Sequence, residues 1–296
     1  MESTTAQGGD NLHTPLPRFL RRAKPLLGTI VEVACSGNSL AASEAAFAAI
    51  ARVQRLMSCH EAASDLSRFN AASPGQWTAV ATETLAVFGF ALQLSAQTGG
   101  TFDVCAVGKR DKASQPASGS WRDIEIDLQR GALRKHALLQ ADLGGVAKGY
   151  AVDAAVRAMQ QAGTCNDEGE GTSDGRNGEG PSGWVNAGGD LRVFGDVEMP
   201  VRVRSPNDLS GTIACVRLRD RAAATSARYL QATKADPAAQ PVLRHGISRQ
   251  PVAHDKSWTV AAPCCMAADG LTKLVAATGN AHHPLLAHYA AQAWIY

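Results

Sequence analysis

Segments with strand patterns and segments with helix patterns alternate irregularly along the chain, and this order constrains the fold more than any other feature. Residues 28–35, GTIVEVAC, alternate and are rich in β-branched side chains, which is typical of a strand. Residues 39–57 place apolar side chains at helical spacing behind a serine, and a second helix is expected at about residues 83–96. Residues 121–136 then show two short alternating runs around Gln-Arg-Gly, which predicts a β-hairpin.

The second half of the chain adds strands and ends with a further helix and strand. Residues 183–196, 199–205 and 211–226 are interpreted as three strands. Residues 257–279 have the pattern of a strand, a turn and a helix, and residues 287–296 predict a final strand. No regular strand–helix repeat connects these segments, so the expected fold class is α+β rather than a doubly wound sheet. We expect mixed or antiparallel sheets flanked by helices.

A single large domain is expected over residues 24–296, since 296 residues fit one elaborate unit. Residues 1–23 are interpreted as a flexible basic tail. Residues 164–183 contain six glycines and five acidic residues against one arginine. This composition buries too little apolar surface to order itself, so a disordered surface loop is expected at about residues 164–183.

Charge and hydropathy exclude several classes of partner. The net charge of +2 produces no strong field toward nucleic acid, which is not expected to bind. No apolar run approaches the roughly 20 residues that a membrane helix needs, and no transmembrane segment is expected. The polar N-terminus lacks the basic-then-apolar order of a signal peptide. A cytoplasmic location is therefore expected, or a periplasmic one if a targeting segment is missing.

Residues 142–153, DLGGVAKGYAVD, combine three glycines with a cation. Missing side chains at Gly144 and Gly145 let backbone groups face a ligand, and Lys148 supplies a point charge. This combination indicates an anionic ligand that carries phosphate. A glycine turn beside a solvated lysine is the alternative, and neither the Walker pattern nor GxGxxG is present.

Three further segments place polar side chains beside glycines or at a helix start: residues 101–103, 188–190 and 269–273. Asp269 and Thr272 share one helical face, because residues three apart are neighbours there. Their oxygens suit Mg²⁺, which prefers carboxylates together with substrate phosphates. The alternatives are tight turns, a buried phenylalanine and a helix-capping aspartate.

Six blocks, in order and with sensible spacing, resemble the FAD:protein FMN transferase family, also called the ApbE family. They are PLLGT, SCHEAASDLSRFN, TGGTFDV, DLGGVAKGYAVD, VNAGGDL and APCCMAADGLTK, beginning at residues 25, 58, 98, 142, 185 and 262. Residues 222–229, AAATSARY, look like a seventh, weaker block. The resemblance covers nearly the whole chain and implies an ApbE-like, T-fold-related architecture.

The resemblance implies a Mg²⁺-dependent enzyme that transfers the FMN moiety of FAD to a Thr or Ser hydroxyl of an acceptor flavoprotein and releases AMP. Phosphoryl transfer depends mainly on positioning and charge neutralisation, which these residue types offer. Two alternatives remain. One is an FAD pyrophosphatase that passes the phosphoryl group to water, and the other is a protein that binds or delivers FAD without catalysis.

The resemblance also implies roles for individual residues. Contacts with FAD are expected from Leu27, His60, Asn70, Thr101, Phe102, Asp103, Asp142, Lys148, Gly188, Gly189, Asp190 and Ile247. Catalytic roles are expected for Asp269, Thr272, Lys273 and His245. The metal site is expected at Asp269, Thr272 and Lys273, together with the carbonyl of Gly145.

Two departures from the family pattern affect these roles. Lys273 stands where the family commonly has Thr, and a charged lysine cannot ligate Mg²⁺. Either Thr272 and water complete the site, or the ammonium supplies part of the metal's charge. The family's His-x-x-Asp-Pro-x-Thr-Gly block is reduced here to RHGISRQPV at residues 244–252, which keeps His245 and Ile247.

Overall fold

The structure is a computed structural model that describes residues 19–37, 39–106, 119–164, 180–204, 211–227, 243–252 and 256–296. The strands are β1 (Phe19–Leu26), β2 (Thr29–Ser36), β3 (Trp77–Ala79), β4 (Ile124–Asp127), β5 (Ala132–Lys135), β6 (Gly183–Ala187), β7 (Asp190–Phe194), β8 (Glu198–Arg204), β9 (Thr212–Arg219), β10 (Ala222–Ala227), β11 (Ser257–Ala262) and β12 (Gln292–Ile295). The helices are α1 (Leu40–Met57), α2 (Asp65–Ala71), α3 (Thr82–Gln97), α4 (Ala147–Thr164), α5 (Cys265–Thr278) and α6 (Pro284–His288).

A seven-stranded sheet in the order β1-β2-β6-β7-β10-β11-β12 forms the centre of the fold. Each of its pairings is antiparallel. Two smaller antiparallel sheets accompany it, β3-β5-β4 and β8-β9. The α+β class predicted from the irregular order of strands and helices is confirmed.

Helices cover one face of the large sheet, and the β8-β9 ribbon packs on the other. Helix α4 packs against α1, α5 and strands β6 and β7, while α5 also packs against β10 and β11. On the opposite face, Leu191 and Val193 of the sheet form an apolar cluster with Leu218 of the ribbon. Because α4 and α5 both pack on the sheet, the start of α4 comes close to β7 and the middle of α5 comes close to β10.

Several elements match the sequence patterns that predicted them. Helix α1 begins behind Ser39, whose hydroxyl accepts the N–H of Ala42 at 3.1 Å, as expected for a serine N-cap. The second predicted helix is α3. Strands β4 and β5 form the predicted hairpin, with Ile124 opposite Lys135.

Two predictions about strands were wrong. The three segments over residues 183–196, 199–205 and 211–226 form five strands, because a turn divides the first and the third segment into two strands each. Gly188 and Gly189 have φ of +63° and +104° and form the turn between β6 and β7. Asp220, with φ of +46°, turns the chain from β9 into β10. The first turn closes a β-hairpin, which commonly uses positive φ. The second carries the chain from the β8-β9 ribbon into the large sheet, where β10 pairs with β7 and β11.

The predicted bounds also change at two other places. Strand β1 begins at Phe19, so residues 19–23 belong to the sheet and not to an N-terminal tail. Helix α5 begins at Cys265, so Asp269 lies inside the helix and is not its capping residue. Residues 1–18 of the predicted tail and residues 165–179 of the predicted acidic loop lie outside the described residues.

Within the part of the chain that the structure describes, no helix is both long enough and apolar enough to cross a membrane.

Candidate functional site

Helices α4 and α5 cross at very short distance where Gly149 faces Cys265. A Cβ atom at Gly149 would lie 2.4 Å from the carbonyl oxygen of Cys265, so this crossing requires a glycine. The N–H of Gly149 donates a hydrogen bond to Asp269 Oδ2 at 3.2 Å. The close crossing therefore holds the start of α4, including Lys148, against the acidic turn of α5.

The ammonium group of Lys273 lies at the centre of a polar cluster. Its Nζ donates to Asp269 Oδ1 at 2.6 Å, to Ser226 Oγ at 2.8 Å and to Thr272 Oγ1 at 3.0 Å. The Thr272 hydroxyl also donates to the Asp269 carbonyl at 2.7 Å and lies 2.8 Å from Ser226 Oγ. Asp269 is fully buried, and the Lys273 side chain is 14% exposed. All three N–H groups of the ammonium have an oxygen partner.

A second ion pair, between Lys148 and Asp190, lies beside this cluster. The Asp190 side chain is almost completely buried, while the Lys148 side chain is partly exposed. Burial by itself would lower the pKa of Lys148, but the negative charges of Asp190 and Asp269 outweigh burial and raise it. Lys148 is therefore protonated at neutral pH. Its pair connects the start of β7 to the start of α4.

The glycine turn before α4 lies next to Lys273. A side chain at Gly145 would contact Phe102 Cε2 and Lys273 Cγ, each at 3.4 Å from its Cβ. Just before it, the N–H of Gly144 donates to Asp142 Oδ1 at 2.8 Å. The structure thus brings together four segments that the sequence singled out separately, namely residues 101–103, 142–148, 188–190 and 269–273.

Asn70 and Lys135 hold the backbone that leads into this turn. The Asn70 amide donates to the carbonyl of Ala141 at 2.9 Å and accepts the Ala141 N–H at 2.8 Å. Buried Lys135 donates to the carbonyls of Asn70 and Leu139 at 2.7 and 3.1 Å. Asn70, which was predicted to contact FAD, therefore makes its described contacts with the backbone and positions Asp142.

Residues 244–252 lie against the predicted Thr101–Asp103 segment. The N–H of Gly246 donates to the Thr101 carbonyl at 2.9 Å, and Arg249 Nη2 donates to Asp103 Oδ2 at 3.0 Å. The Asp103 side chain is only 3% exposed, and Arg249 neutralises its buried carboxylate through this ion pair. The sequence did not single out Arg249, and no local pattern identifies its partner 146 residues away.

His245 and Ile247 occupy the same segment but not the polar cluster. His245 Nδ1 accepts the N–H groups of Ile247 and Ser248, each at 3.3 Å, and the Ile247 side chain is exposed. His245 lines a cavity of about 490 Å³ that reaches the C-terminal end of α5 at Gly279. Among the described residues, no hydrogen bond or ion pair joins His245 to the cluster around Lys273.

The first predicted contact, Leu27, lies in the tight turn between β1 and β2. Leu27 and Gly28 both have positive φ, +55° and +70°, and the Leu27 N–H donates to Gln54 Oε1 at 2.7 Å. A left-handed leucine is uncommon and indicates local strain. A Cβ atom at Gly188 would lie 2.6 Å from Thr29 Oγ1, so the β1–β2 and β6–β7 turns touch.

His60, another predicted FAD contact, lies apart from the other predicted site residues in its described contacts. Its side chain is exposed, and its backbone N–H donates to Ser58 Oγ at 3.2 Å. The described contacts of His60 do not connect it to the other predicted site residues.

Sequence reasoning missed two residues that build the site. Ser226 supplies the third partner of Lys273, and only the weak AAATSARY block pointed to its segment. Asp153 on α4 accepts the N–H groups of Cys265 and Met266, both at 2.9 Å, and so caps α5. The sequence signal for Asp153 is indirect. Cys264 at the N-cap of α5 makes no side-chain cap bond, so the cap has to come from another part of the chain.

The donor set around Asp269 does not fit Mg²⁺. Asp269 Oδ1 binds the Lys273 ammonium and Oδ2 binds the N–H of Gly149, so both carboxylate oxygens are engaged. Mg²⁺ requires an octahedron of oxygens, whereas a cation already lies between this carboxylate and two hydroxyls. Over the described ranges, no group of three or more His, Cys, Asp or Glu side chains is arranged to hold a metal ion.

The profile of the ApbE family matches residues 27–167 and 176–294 of this chain. No curated protein matches the sequence at a significant level.

Solved structures with the same fold include three bacterial proteins. The ApbE protein from Thermotoga maritima is 21% identical, with a TM-score of 0.73 and coverage of 94% of each chain. A mutant of flavin transferase ApbE from Vibrio cholerae is 21% identical, with a TM-score of 0.71 and coverage of 94% of this chain and 93% of that one. The apo form of flavinyl transferase ApbE from Pseudomonas stutzeri is 20% identical, with a TM-score of 0.68 and coverage of 88% and 84%. At this level of identity the likeness shows a shared fold.

Proposed function

Because this chain belongs to the ApbE family, we propose that it is an FAD:protein FMN transferase. It would bind FAD, transfer the FMN moiety to a Thr or Ser hydroxyl of an acceptor flavoprotein, and release AMP. The names of the structures from Vibrio cholerae and Pseudomonas stutzeri, a flavin transferase and a flavinyl transferase, support this proposal.

The observation that carries the proposal is the convergence of two lysines on one glycine turn. Lys148 follows the turn in sequence, and Lys273 lies next to Gly145 in space. A diphosphate carries two negative charges, and such a group is stabilised by ammonium groups and exposed backbone N–H groups. The absence of a side chain at Gly145 gives a diphosphate room to approach both.

The chain's own residues supply positioning and charge for the transfer. The acceptor hydroxyl oxygen forms a bond to the phosphorus of the FMN half, the bond from that phosphorus to the AMP oxygen breaks, and AMP leaves. Lys148 and Lys273 would offset the negative charge on the phosphate oxygens and the leaving group. Asp190 and Asp269 hold the two ammonium groups in place through their ion pairs.

We retain His245 as a proposed catalytic residue. Because Nδ1 accepts backbone N–H groups, the neutral ring carries its proton on Nε2, which would donate a hydrogen bond to the reacting phosphate, while the proton of the acceptor hydroxyl passes to water. Its Nδ1 is fixed by two backbone N–H groups, and its segment is attached to Thr101 through Gly246. This attachment supports a position at the rim of the flavin site, where an acceptor protein would arrive.

The direct test incubates the purified protein with FAD and a flavoprotein domain whose threonine carries FMN through a phosphoester. We expect the acceptor mass to increase by one FMN and AMP to appear in equal amount. The matched control is the same domain with that threonine changed to alanine, which should stay unmodified. Free FMN with AMP and no adduct would indicate a pyrophosphatase, and unchanged FAD would indicate a carrier; either result rejects the proposal.

A further inference from the structure

We propose that the Lys273 ammonium takes the place of a divalent cation, so that this chain binds the diphosphate of FAD without Mg²⁺. The inference rests on the proposed function, since it concerns the same site. It follows from the disagreement between the magnesium expected from the family pattern and the cluster that the structure contains.

The distances around Lys273 are those of hydrogen bonds to an ammonium. The three oxygens lie 2.6, 2.8 and 3.0 Å from Nζ. Oxygens that bind Mg²⁺ lie much closer to the ion, at about 2.0–2.1 Å, and must number six. The carboxylate of Asp269 and the hydroxyls of Ser226 and Thr272 are therefore spaced for the lysine.

The lysine side chain also fills the space beside the turn that was expected to supply a metal ligand. A Cβ at Gly145 would lie 3.4 Å from Lys273 Cγ and 3.6 Å from Lys273 Cε, so the methylene chain lies along this turn. For Mg²⁺ to reach both Gly145 and Asp269, Lys273 would have to leave. That departure would break an ion pair to a fully buried carboxylate, which is costly.

The cluster is arranged so that one N–H of Lys273 can turn to a ligand. Thr272 Oγ1 is the most distant of the three acceptors, and it has other partners in the Asp269 carbonyl and Ser226 Oγ. If a phosphate oxygen replaces Thr272 as acceptor, the threonine hydroxyl keeps those two bonds. Asp269 and Ser226 then hold the ammonium as they do in the free protein. At the position expected for the metal, one ammonium charge fixed by the chain itself would thus meet the diphosphate, in addition to the charge of Lys148.

The experiment measures FAD affinity by calorimetry, in EDTA and in millimolar Mg²⁺, for the wild type, Lys273→Thr and Lys273→Met. We expect the wild-type affinity to differ by less than about twofold between the two buffers. Lys273→Thr should bind FAD at least about tenfold more weakly in EDTA and recover in Mg²⁺, because threonine restores an oxygen ligand. Lys273→Met should weaken binding in both buffers. Lys24→Thr, which removes a surface lysine paired with Glu44, serves as the matched control and should leave both affinities unchanged.

A second measurement does not depend on FAD. Titration with Mn²⁺ followed by electron paramagnetic resonance should show no tight site in the wild type and a new site in Lys273→Thr. Thermal unfolding of each variant checks that the fold is retained.

Three results would overturn the inference. The first is wild-type FAD affinity that increases tenfold or more in Mg²⁺. The second is Lys273→Thr binding FAD with wild-type affinity in both buffers. Neither of these two results contradicts the proposed function. The third is the absence of FAD binding by the wild type in either buffer, which rejects the proposed function and the inference together.

Discussion

The amide group of Asn70 is hydrogen bonded on both sides to the backbone of Ala141, although the family pattern placed this residue against FAD. Asp142 and Leu143 are the two residues between Ala141 and Gly144, the first glycine of the turn. At the scale of single residues, the structure thus shows Asn70 positioning the backbone, and its contact with FAD stays a prediction. A residue that orients the binding turn is as necessary to the site as one that touches the ligand.

Replacing Asn70 tests this positioning role. Asn70→Ala removes two hydrogen bonds and should lower the free energy of unfolding by about 2 kcal/mol, at about 1 kcal/mol for each bond. Asn70→Asp keeps the acceptor but loses the donor, so it should cost less than Asn70→Ala. Urea unfolding measures both. A variant that loses FAD affinity with no change in stability would show that Asn70 is a ligand contact instead.

Lys135, which contacts the carbonyl of Asn70, should make the free energy of unfolding depend on pH. Burial lowers the pKa of Lys135 from its usual 10.5, because the charged ammonium loses its contact with water in the core. The folded protein therefore binds fewer protons than the unfolded chain between the lowered pKa and 10.5. In this window the contribution of Lys135 to stability rises with pH, and it is lost as the pH falls through the folded pKa.

The measurement is the difference in unfolding free energy between the wild type and Lys135→Met from neutral pH up to 10.5. We expect this difference to shift in favour of the wild type as the pH rises. The methionine variant removes the titrating group and keeps an apolar chain of similar length, so other alkaline titrations cancel. A difference that stays constant with pH would contradict a lowered pKa.

At the scale of elements, helix α5 depends on a cap from another helix. The Asp153 carboxylate accepts the first two N–H groups of α5 and also pairs with Arg192 Nη1 at 2.6 Å. The local sequence at the start of α5 is Ala-Pro-Cys-Cys, which offers no capping side chain. This is why a helix cap at Asp269 was the alternative interpretation of that residue, since no capping side chain stands at the true start of the helix. Capping rules apply to neighbours in sequence, whereas Asp153 lies 112 residues from Cys265.

Substitution of Asp153 should therefore loosen the helix that carries Asp269 and Lys273. Asp153→Ala removes two caps and leaves Arg192 without its partner, which should cost about 2–4 kcal/mol. Arg192→Ala keeps both caps and is the matched control, so it should cost clearly less. Guanidinium unfolding and hydrogen exchange of the α5 amides measure the effect. Equal losses in the two variants would mean that the ion pair, and not the cap, stabilises α5.

Regular elements were otherwise predictable because their signals are local. The serine cap and helical spacing of α1 and the alternation of β4 and β5 lie within short windows of sequence. The β6–β7 hairpin was missed although its signal was present: Gly188 and Gly189 were interpreted as a turn before Asp190, but the segment was counted as a single strand. Their positive φ serves both the hairpin and the contact with Thr29.

At the scale of the whole molecule, the site exists only because four distant segments meet. Residue patterns located the segments, and the family resemblance grouped them, but neither predicted the pairs between them. Lys148 with Asp190 and Lys273 with Ser226 are separated by 42 and 47 residues. Such pairs are set by how α4 and α5 pack on the sheet, which depends on Gly149 and on side chains throughout the core.

A site assembled in this way should bind FAD in the folded state alone and so stabilise the whole domain. At a free FAD concentration about 100 times the Kd, the free energy of unfolding should rise by about 2.7 kcal/mol. The rise should appear in one cooperative transition, because Lys148, Asp190 and Lys273 belong to α4, β7 and α5, which pack together. Equilibrium unfolding in urea, with and without FAD, measures it. FAD that stabilises only a separate, minor transition would contradict a site shared by α4, α5 and the sheet.

The variant Gly145→Ala should reduce the stabilisation by FAD without changing the stability of the FAD-free protein. The added methyl group would meet Phe102 and Lys273 at ordinary contact distance, 3.4 Å, so the unliganded protein should keep its stability to within about 0.5 kcal/mol. The same methyl group would occupy the space through which a diphosphate reaches the backbone and Lys273, so the stabilisation by FAD should fall by at least about 1.4 kcal/mol, a tenfold loss of affinity. Gly89→Ala, in helix α3 with open space around it, is the matched control and should retain the full FAD effect. If Gly145→Ala responds to FAD as the wild type does, the diphosphate does not bind at this turn, and the convergence of Lys148 and Lys273 on it has another purpose.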